Sequence, residues 1–279
     1  MNFSSEVMTL HKGEVSFLTY NRLSEIPFIR HAFSTRLGGV SQGEFTSMNL
    51  SFGRGDSDEN VTENYKRICK AAGFDYESLT ASAQVHETIV RKVTAENRGV
   101  GIYKPKDMLS VDALITHDPQ VTLVTYYADC TPVFFVDTVN KAIGLAHAGW
   151  RGTVGEISSK VVKSMGAEFG TKPENLVCAI GPVIGKCCYE VSADCAEHFI
   201  TLFGADSPVV SKGEKPDKYM IDLALANKLL LIKSGVREEN IVISDLCTQC
   251  NCDLLWSHRA TQGKRGTMSA FMSIKNGSL

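Results

Sequence analysis

Residues 121–148 read VTLVTYYADCTPVFFVDTVNKAIGLAHA. Three apolar, β-rich runs follow one another, broken only by ADC at 128–130 and VNK at 139–141. A crossover to a parallel neighbour needs about a dozen residues or more. Connections this short therefore favour a mixed sheet over a purely parallel one, although strand-like and helix-like segments are interleaved along the chain. The pattern predicts an α+β fold built on mixed sheets.

The rest of the chain agrees with that class. GEVSFLTY (13–20), IPFIRHAFST (26–35) and RLGGVSQGEF (36–45) read as short strands and turns. A helix is expected from an N-cap at Asp58 to about Ala72, with Val61, Tyr65, Ile68 and Ala72 at helical spacing. TIVRKVTA and VDALITHD read as strands. GWRGT opens a helix whose apolar stripe is Val154, Ile157, Val161, Met165 and Phe169, with Gly170 as its stop. NLVCAIGP is a further strand. Helices near 192–203 and 222–234 follow, and IVISDL and MSAFMSI close the chain as strands. No repeat or linker-like tract divides the sequence, so one domain over 1–279 is expected.

Hydrophobic residues make up 43% and charged residues 22%, and 29 basic against 31 acidic side chains leave a net charge of −2. These values permit a large core and give no basic footprint for nucleic acid. No apolar run reaches the length of a membrane span. The N-terminus lacks a signal-peptide pattern, so the nine cysteines are expected to be reduced thiols in a cytoplasmic protein.

Three residues at strand ends carry the chemistry: His86, Cys130 and His147. Small or turn-forming neighbours flank each one, and strand ends gathered at one sheet edge are where α/β sites form. Two imidazoles and a thiolate suit zinc, and three protein ligands leave a fourth position for water or substrate. The same residues are also the raw material of a Cys130 nucleophile with His147 as its base and Asp129 as orienter.

Several blocks occur in order over residues 31–191: HAFSTRLGGVS, MNLSFGRGD with NVTEN, QVH, DALIT, ADCTPV, HAGWRGT and IGPVIGKCCYEV. The tail DLCTQCN with LLWSHR agrees more weakly. Together they resemble the YfiH/YlmD laccase-domain family. The resemblance implies a layered α/β/β/α fold of mixed sheets, of the type also labelled CNF-like cysteine hydrolase. It implies that His86, Cys130 and His147 bind the catalytic metal, usually zinc. The associated activity is phosphorolysis of purine nucleosides such as adenosine, inosine and methylthioadenosine, with adenosine deamination as a companion. An older label for the family is polyphenol oxidase. Copper binds such donors tightly, but only seven histidines are present for a multicopper centre.

Phosphorolysis needs a phosphate site. Arg36, in the STRLGG block, is expected to serve the phosphate. Arg151 and the amides of Gly152 and Thr153 lie at a helix start that favours anions, although Arg151 could equally form a structural ion pair. Asp129 and Glu87 are candidate proton shuttles, against the plainer readings of turn acceptor and solvated face. Trp150 either stacks on a base or plugs the core. Cys187-Cys188 reads as structural. Cys247, Cys250 and Cys252 make a poor zinc finger, because no second cysteine pair lies nearby in sequence. His258 and Arg259 match the family's terminal region, while Ala260 replaces an acid and Thr267 stands where arginine often follows glycine. The expected partners are a nucleoside and phosphate, with neither nucleic acid nor membrane.

Overall fold

In the computed structural model, which describes residues 3–107, 109–275 and 277, the interleaved strands sort into two six-stranded mixed sheets and a smaller third. The first sheet runs in the order Met8–His11, Phe17–Tyr20, Ile29–Ser34, Met268–Ile274, Thr122–Tyr127 and Leu79–Ala81. The second runs Ile241–Ile243, Leu176–Ile180, Thr131–Asp137, Ala142–Ala148, Val111–Thr116 and Ile89–Lys92. Glu190–Ser192, Lys218–Ile221 and Val210–Lys212 form the third.

Side-chain alternation explains why the strands read as unbroken apolar runs. Successive residues point to opposite faces, and here both faces are covered. Phe134 and Val136 meet Phe33, Leu123, Ala270 and Met272 in a core between the two sheets. Their neighbours Val133 and Phe135 point the other way, onto Ile157, Val161, Met165 and Phe199 of the helices. Phe271 and Val124 face outward from the first sheet onto Val61, Tyr65 and Ile68. The layers are therefore helix, sheet, sheet, helix, as the resemblance implied. At about 1.5–3 kcal/mol for each large side chain fully buried, the central and outer cores supply most of the driving force.

The helices follow the predicted stripes, with two corrections. The first helix is Asp58–Ala72, but its cap is Ser57, whose hydroxyl accepts from Asn60 N at 3.2 Å. Gly73 ends it in the left-handed conformation at φ 75°. The helix opening at GWRGT is not continuous. A single turn, Trp150–Val154, stops at Gly155, Glu156 takes φ 59°, and a second helix runs Ile157–Phe169 to Gly170. The later helices are Ala193–Phe203 and Leu223–Lys233, the second capped by the Asp222 carboxylate on Leu225 N. RLGGVSQGEF holds no strand, only a short 3-10 turn at Gly43–Phe45. Among the described residues no helix is long and apolar enough to cross a membrane.

Candidate metal centre and its cleft

Leu79–Ala81 and Thr122–Tyr127 are parallel, with Ala81 opposite Val124, so both leave the first sheet at the same end. Each then crosses to the second sheet, one over residues 82–88 and the other over 128–130. His86 lies on the first crossing and Cys130 on the second. The hairpin Thr131–Asp137 with Ala142–Ala148 supplies the third member, because its register sets Pro132 against His147, two residues beyond Cys130. The sequence placed all three residues at strand ends; the structure adds that the seam between the sheets gathers them. Their ligand atoms all lie within 4.8 Å of one another. Cys130 Sγ is 3.8 Å from His86 Nε2, and the two imidazole rings meet edge to face at 4.8 Å.

Asp112 organises this set, and nothing in our sequence reading singled it out. Its carboxylate is fully buried in the strand Val111–Thr116. Oδ1 accepts from His86 N at 3.0 Å and pairs with His147 Nδ1 at 2.8 Å. Oδ2 accepts from Val85 N at 3.1 Å and Glu87 N at 2.9 Å. One acid thus pins the His86 loop, where His86 itself has φ 67°, and fixes the His147 tautomer so that Nε2 is its ligand atom. Burial works against the Asp112 charge, but His147 and the N–H donors hold its pKa below the usual carboxylate value. The available signal was a lone acid inside the apolar strand VDALIT.

The donor set fits a divalent ion. A Cβ on Gly149 would lie 2.6 Å from His86 Cδ2 and 3.3 Å from Cys130 Sγ, so the missing side chain is what lets the ligands close. Burial pushes the Cys130 thiol up, yet His147 and His86 outweigh it and bring the pKa down to about 6. Burial likewise opposes charge on His147, while Cys130 and Asp112 raise it to about 9. The other five histidines do not join the cluster. His11 stacks on Phe17, His31 accepts from Tyr20 N, and His117, His198 and His258 lie beside Phe169, Trp150 and Gly263. A centre requiring many imidazoles is therefore not assembled among the described residues.

A cleft of about 200 Å³ opens over the trio, walled by Tyr126, Tyr127, Gln84 and Ser82. Its cations are Arg54, Lys106 and Arg265. Arg36, Arg151 and Gly152, the expected phosphate ligands, do not line it. The Arg36 guanidinium stacks on Trp256 at 3.8 Å and donates to the carbonyls of Cys252 and Thr46. Arg151 is exposed over the Trp150 ring at 4.3 Å. The Thr153 N–H is bonded to Gly149 O at 2.8 Å inside a one-turn helix. Asp129, at φ 83°, has both oxygens engaged, by Thr248 Oγ1 at 2.6 Å and Arg259 N at 2.7 Å. It is a turn acceptor here, and the partner that orients His147 is Asp112. The Glu87 side chain is exposed, and Trp150 packs partly against the helical core rather than in the cleft. Where Thr267 replaces an expected arginine, the cation stands two residues earlier, as Arg265.

The fold and site define a layered α+β protein with a His-Cys-His centre at the seam of two mixed sheets. The family model described as "Multi-copper polyphenol oxidoreductase laccase" matches residues 30–275, and the chain belongs to that family. The chain is 35% identical over 244 residues to a Bacillus subtilis protein named purine nucleoside phosphorylase YlmD, covering 87% of each. The crystal structure of YlmD from Geobacillus stearothermophilus superposes with TM-score 0.90 at 32% identity, covering 96% of this chain and 99% of that one. YfiH from Bacillus licheniformis gives 0.89 at 30%, covering 95% and 99%.

Proposed function

We propose that this protein is a metal-dependent purine nucleoside phosphorylase that converts adenosine, inosine and methylthioadenosine to base and ribose (or methylthioribose) 1-phosphate, with adenosine deamination as a side activity. The relatives' names support the reaction class. The observation that carries the reading is the set of three cations converging on the trio. Arg265 is held near Arg54, and burial together with that like charge lowers its pKa to about 10. Its buried Nε–H has no partner among the described residues. Burial and Arg54 also lower Lys106. Cations that repel one another in a cleft are relieved by an anion, and a phosphate dianion is the one this reaction requires.

His86, Cys130 and His147 would hold zinc or copper, and such an ion, when bound, supplies a Lewis acid beside the substrate. The protein's own groups do the rest. Arg54, Lys106 and Arg265 bind phosphate and orient one oxygen toward C1′ of the ribose. The new C1′–O bond forms as the C1′–N9 bond breaks, and the base leaves with the bond's electron pair and takes up a proton. Tyr126 and Tyr127 wall the cleft and limit water.

A second reading rests on the Cys130, His147, Asp112 arrangement, which also describes a cysteine nucleophile with an oriented base. One experiment separates them: metal analysis of wild type beside Cys130→Ala, with chromatography of inosine and adenosine with and without phosphate. Phosphate-dependent hypoxanthine release that disappears in Cys130→Ala, together with the loss of one equivalent of metal in that variant, supports the phosphorylase. Equal metal content in wild type and Cys130→Ala, with rapid Cys130 alkylation and no base release, would establish the hydrolase instead.

A further inference from the structure

The cysteine tail CTQCNC lacks a second pair in the linear sequence, but the fold supplies one. Cys187 and Cys188 follow the turn at Gly185, and Cys247 and Cys250 begin the loop after Ile241–Ile243. Their four sulfurs all lie within 4.8 Å of one another. Cys187 to Cys188 is 3.7 Å, Cys187 to Cys250 is 3.7 Å and Cys188 to Cys250 is 3.4 Å. Four sulfurs about 2.3 Å from a tetrahedral zinc ion stand about 3.8 Å apart. The observed separations match that edge and are far too long for a disulfide.

Two further features show a built cluster. Gly185 N donates to Cys247 Sγ at 3.1 Å, the kind of backbone contact that supports a thiolate. A Cβ on Gly185 would sit 3.1 Å from Cys187 Sγ and 3.1 Å from Cys247 Cβ, so a side chain there would crowd both arms. Core packing does not account for the grouping, because Cys187 and Cys250 are exposed.

We propose that Cys187, Cys188, Cys247 and Cys250 form a second metal site, separate from the His86, Cys130, His147 centre, in which four thiolates enclose a structural zinc ion. With four protein ligands the site is closed and offers no position to substrate. Its place in the fold gives it a task. Thr248, between the two tail ligands, donates to the Asp129 carboxylate, and Ile184 N, just before the first arm, donates to Asp129 O at 3.0 Å. Both arms therefore grip the residue preceding Cys130. The ion would tie residues 184–188 to 247–250 and steady the crossing that presents the first centre's sulfur.

The test counts metal without relying on activity. Protein purified with zinc and a thiol reductant is expected to hold two ions per chain. His86→Ala/His147→Ala, which empties the first centre, should retain one, and Cys187→Ser/Cys250→Ser should lose one and unfold at a lower temperature. Cobalt(II) added to metal-free His86→Ala/His147→Ala protein should give the strong thiolate charge-transfer and red ligand-field bands of a tetrahedral all-sulfur site. If that variant fails to fold, Cys130→Ala protein serves, since it removes the only sulfur of the other centre. No metal and no such spectrum in the reduced variant, or a Cys188–Cys250 disulfide in its place, would overturn the proposal.

Discussion

Asp112→Asn is the sharpest perturbation of the first centre. The carboxylate accepts four hydrogen bonds, two at each oxygen. An asparagine must turn an NH₂ toward one pair. Facing Val85 and Glu87, it sets donor against donor and frees the His86 loop. Facing His86 N and His147, it forces the imidazole proton onto Nε2, the atom needed for metal. Facing Val85 and Glu87 it loses two bonds to a buried charge, and at about 1.5–3 kcal/mol each the stability cost is about 3–6 kcal/mol; facing His86 N it loses one, and about half of that. Metal affinity should fall by about 10- to 100-fold, as for other groups that orient a ligand. Guanidinium unfolding followed by tryptophan fluorescence gives the first quantity and chelator competition the second. Asp137→Asn is the control: that buried carboxylate caps the hairpin turn through Val139 N and Asn140 N at the far end of the sheet, so its loss should leave metal affinity unchanged. An Asp112→Asn protein within about 1 kcal/mol of wild type and equal to it in metal affinity would refute the assignment.

Gly149→Ala places a methyl 2.6 Å from the His86 ring and should weaken metal binding by about tenfold or more; unchanged affinity by the same chelator assay would show that the ligands do not need that space. Arg265→Met should raise the KM for phosphate by about 10- to 100-fold, the equivalent of one lost charged hydrogen bond, with metal content intact; an unaltered KM in a phosphate titration would remove Arg265 from the phosphate site. The His31 pKa is lowered to about 3, chiefly because burial disfavours its charge. Its folded pKa lies below its unfolded value, so the neutral form's contribution is complete above about pH 6.5 and is lost as pH falls, by about 2 kcal/mol near pH 5. His31→Gln, which keeps an acceptor for Tyr20 N, should flatten that part of the stability curve, and an identical acid dependence in the variant would count against it.

The layered fold was legible because its strands are buried on both faces and announce themselves as apolar runs. The meeting of His86, Cys130 and His147 was legible from residue type, strand-end position and the family blocks. Other features were hidden by long-range geometry. Nothing local says that Asp112 meets a loop 25 to 27 residues earlier, because that contact exists only once the strand Val111–Thr116 lies beside Ile89–Lys92. Arg54 and Arg265 come together from opposite ends of the chain, whereas Arg36, conspicuous in its motif, is occupied by Trp256 and two carbonyls. The tail cysteines looked short of partners for the same reason: the missing pair stands some sixty positions upstream.

The three-residue passage at 128–130 has a mechanical consequence. It is a tether between two slabs whose spacing is set by side chains such as Phe134, Leu123 and Met272. A substitution that thickens or thins that filling changes the slab separation, and so short a tether must transmit the change to the Cys130 sulfur. Mutations deep between the slabs, far from any substrate, should therefore register as altered metal geometry before they register as unfolding.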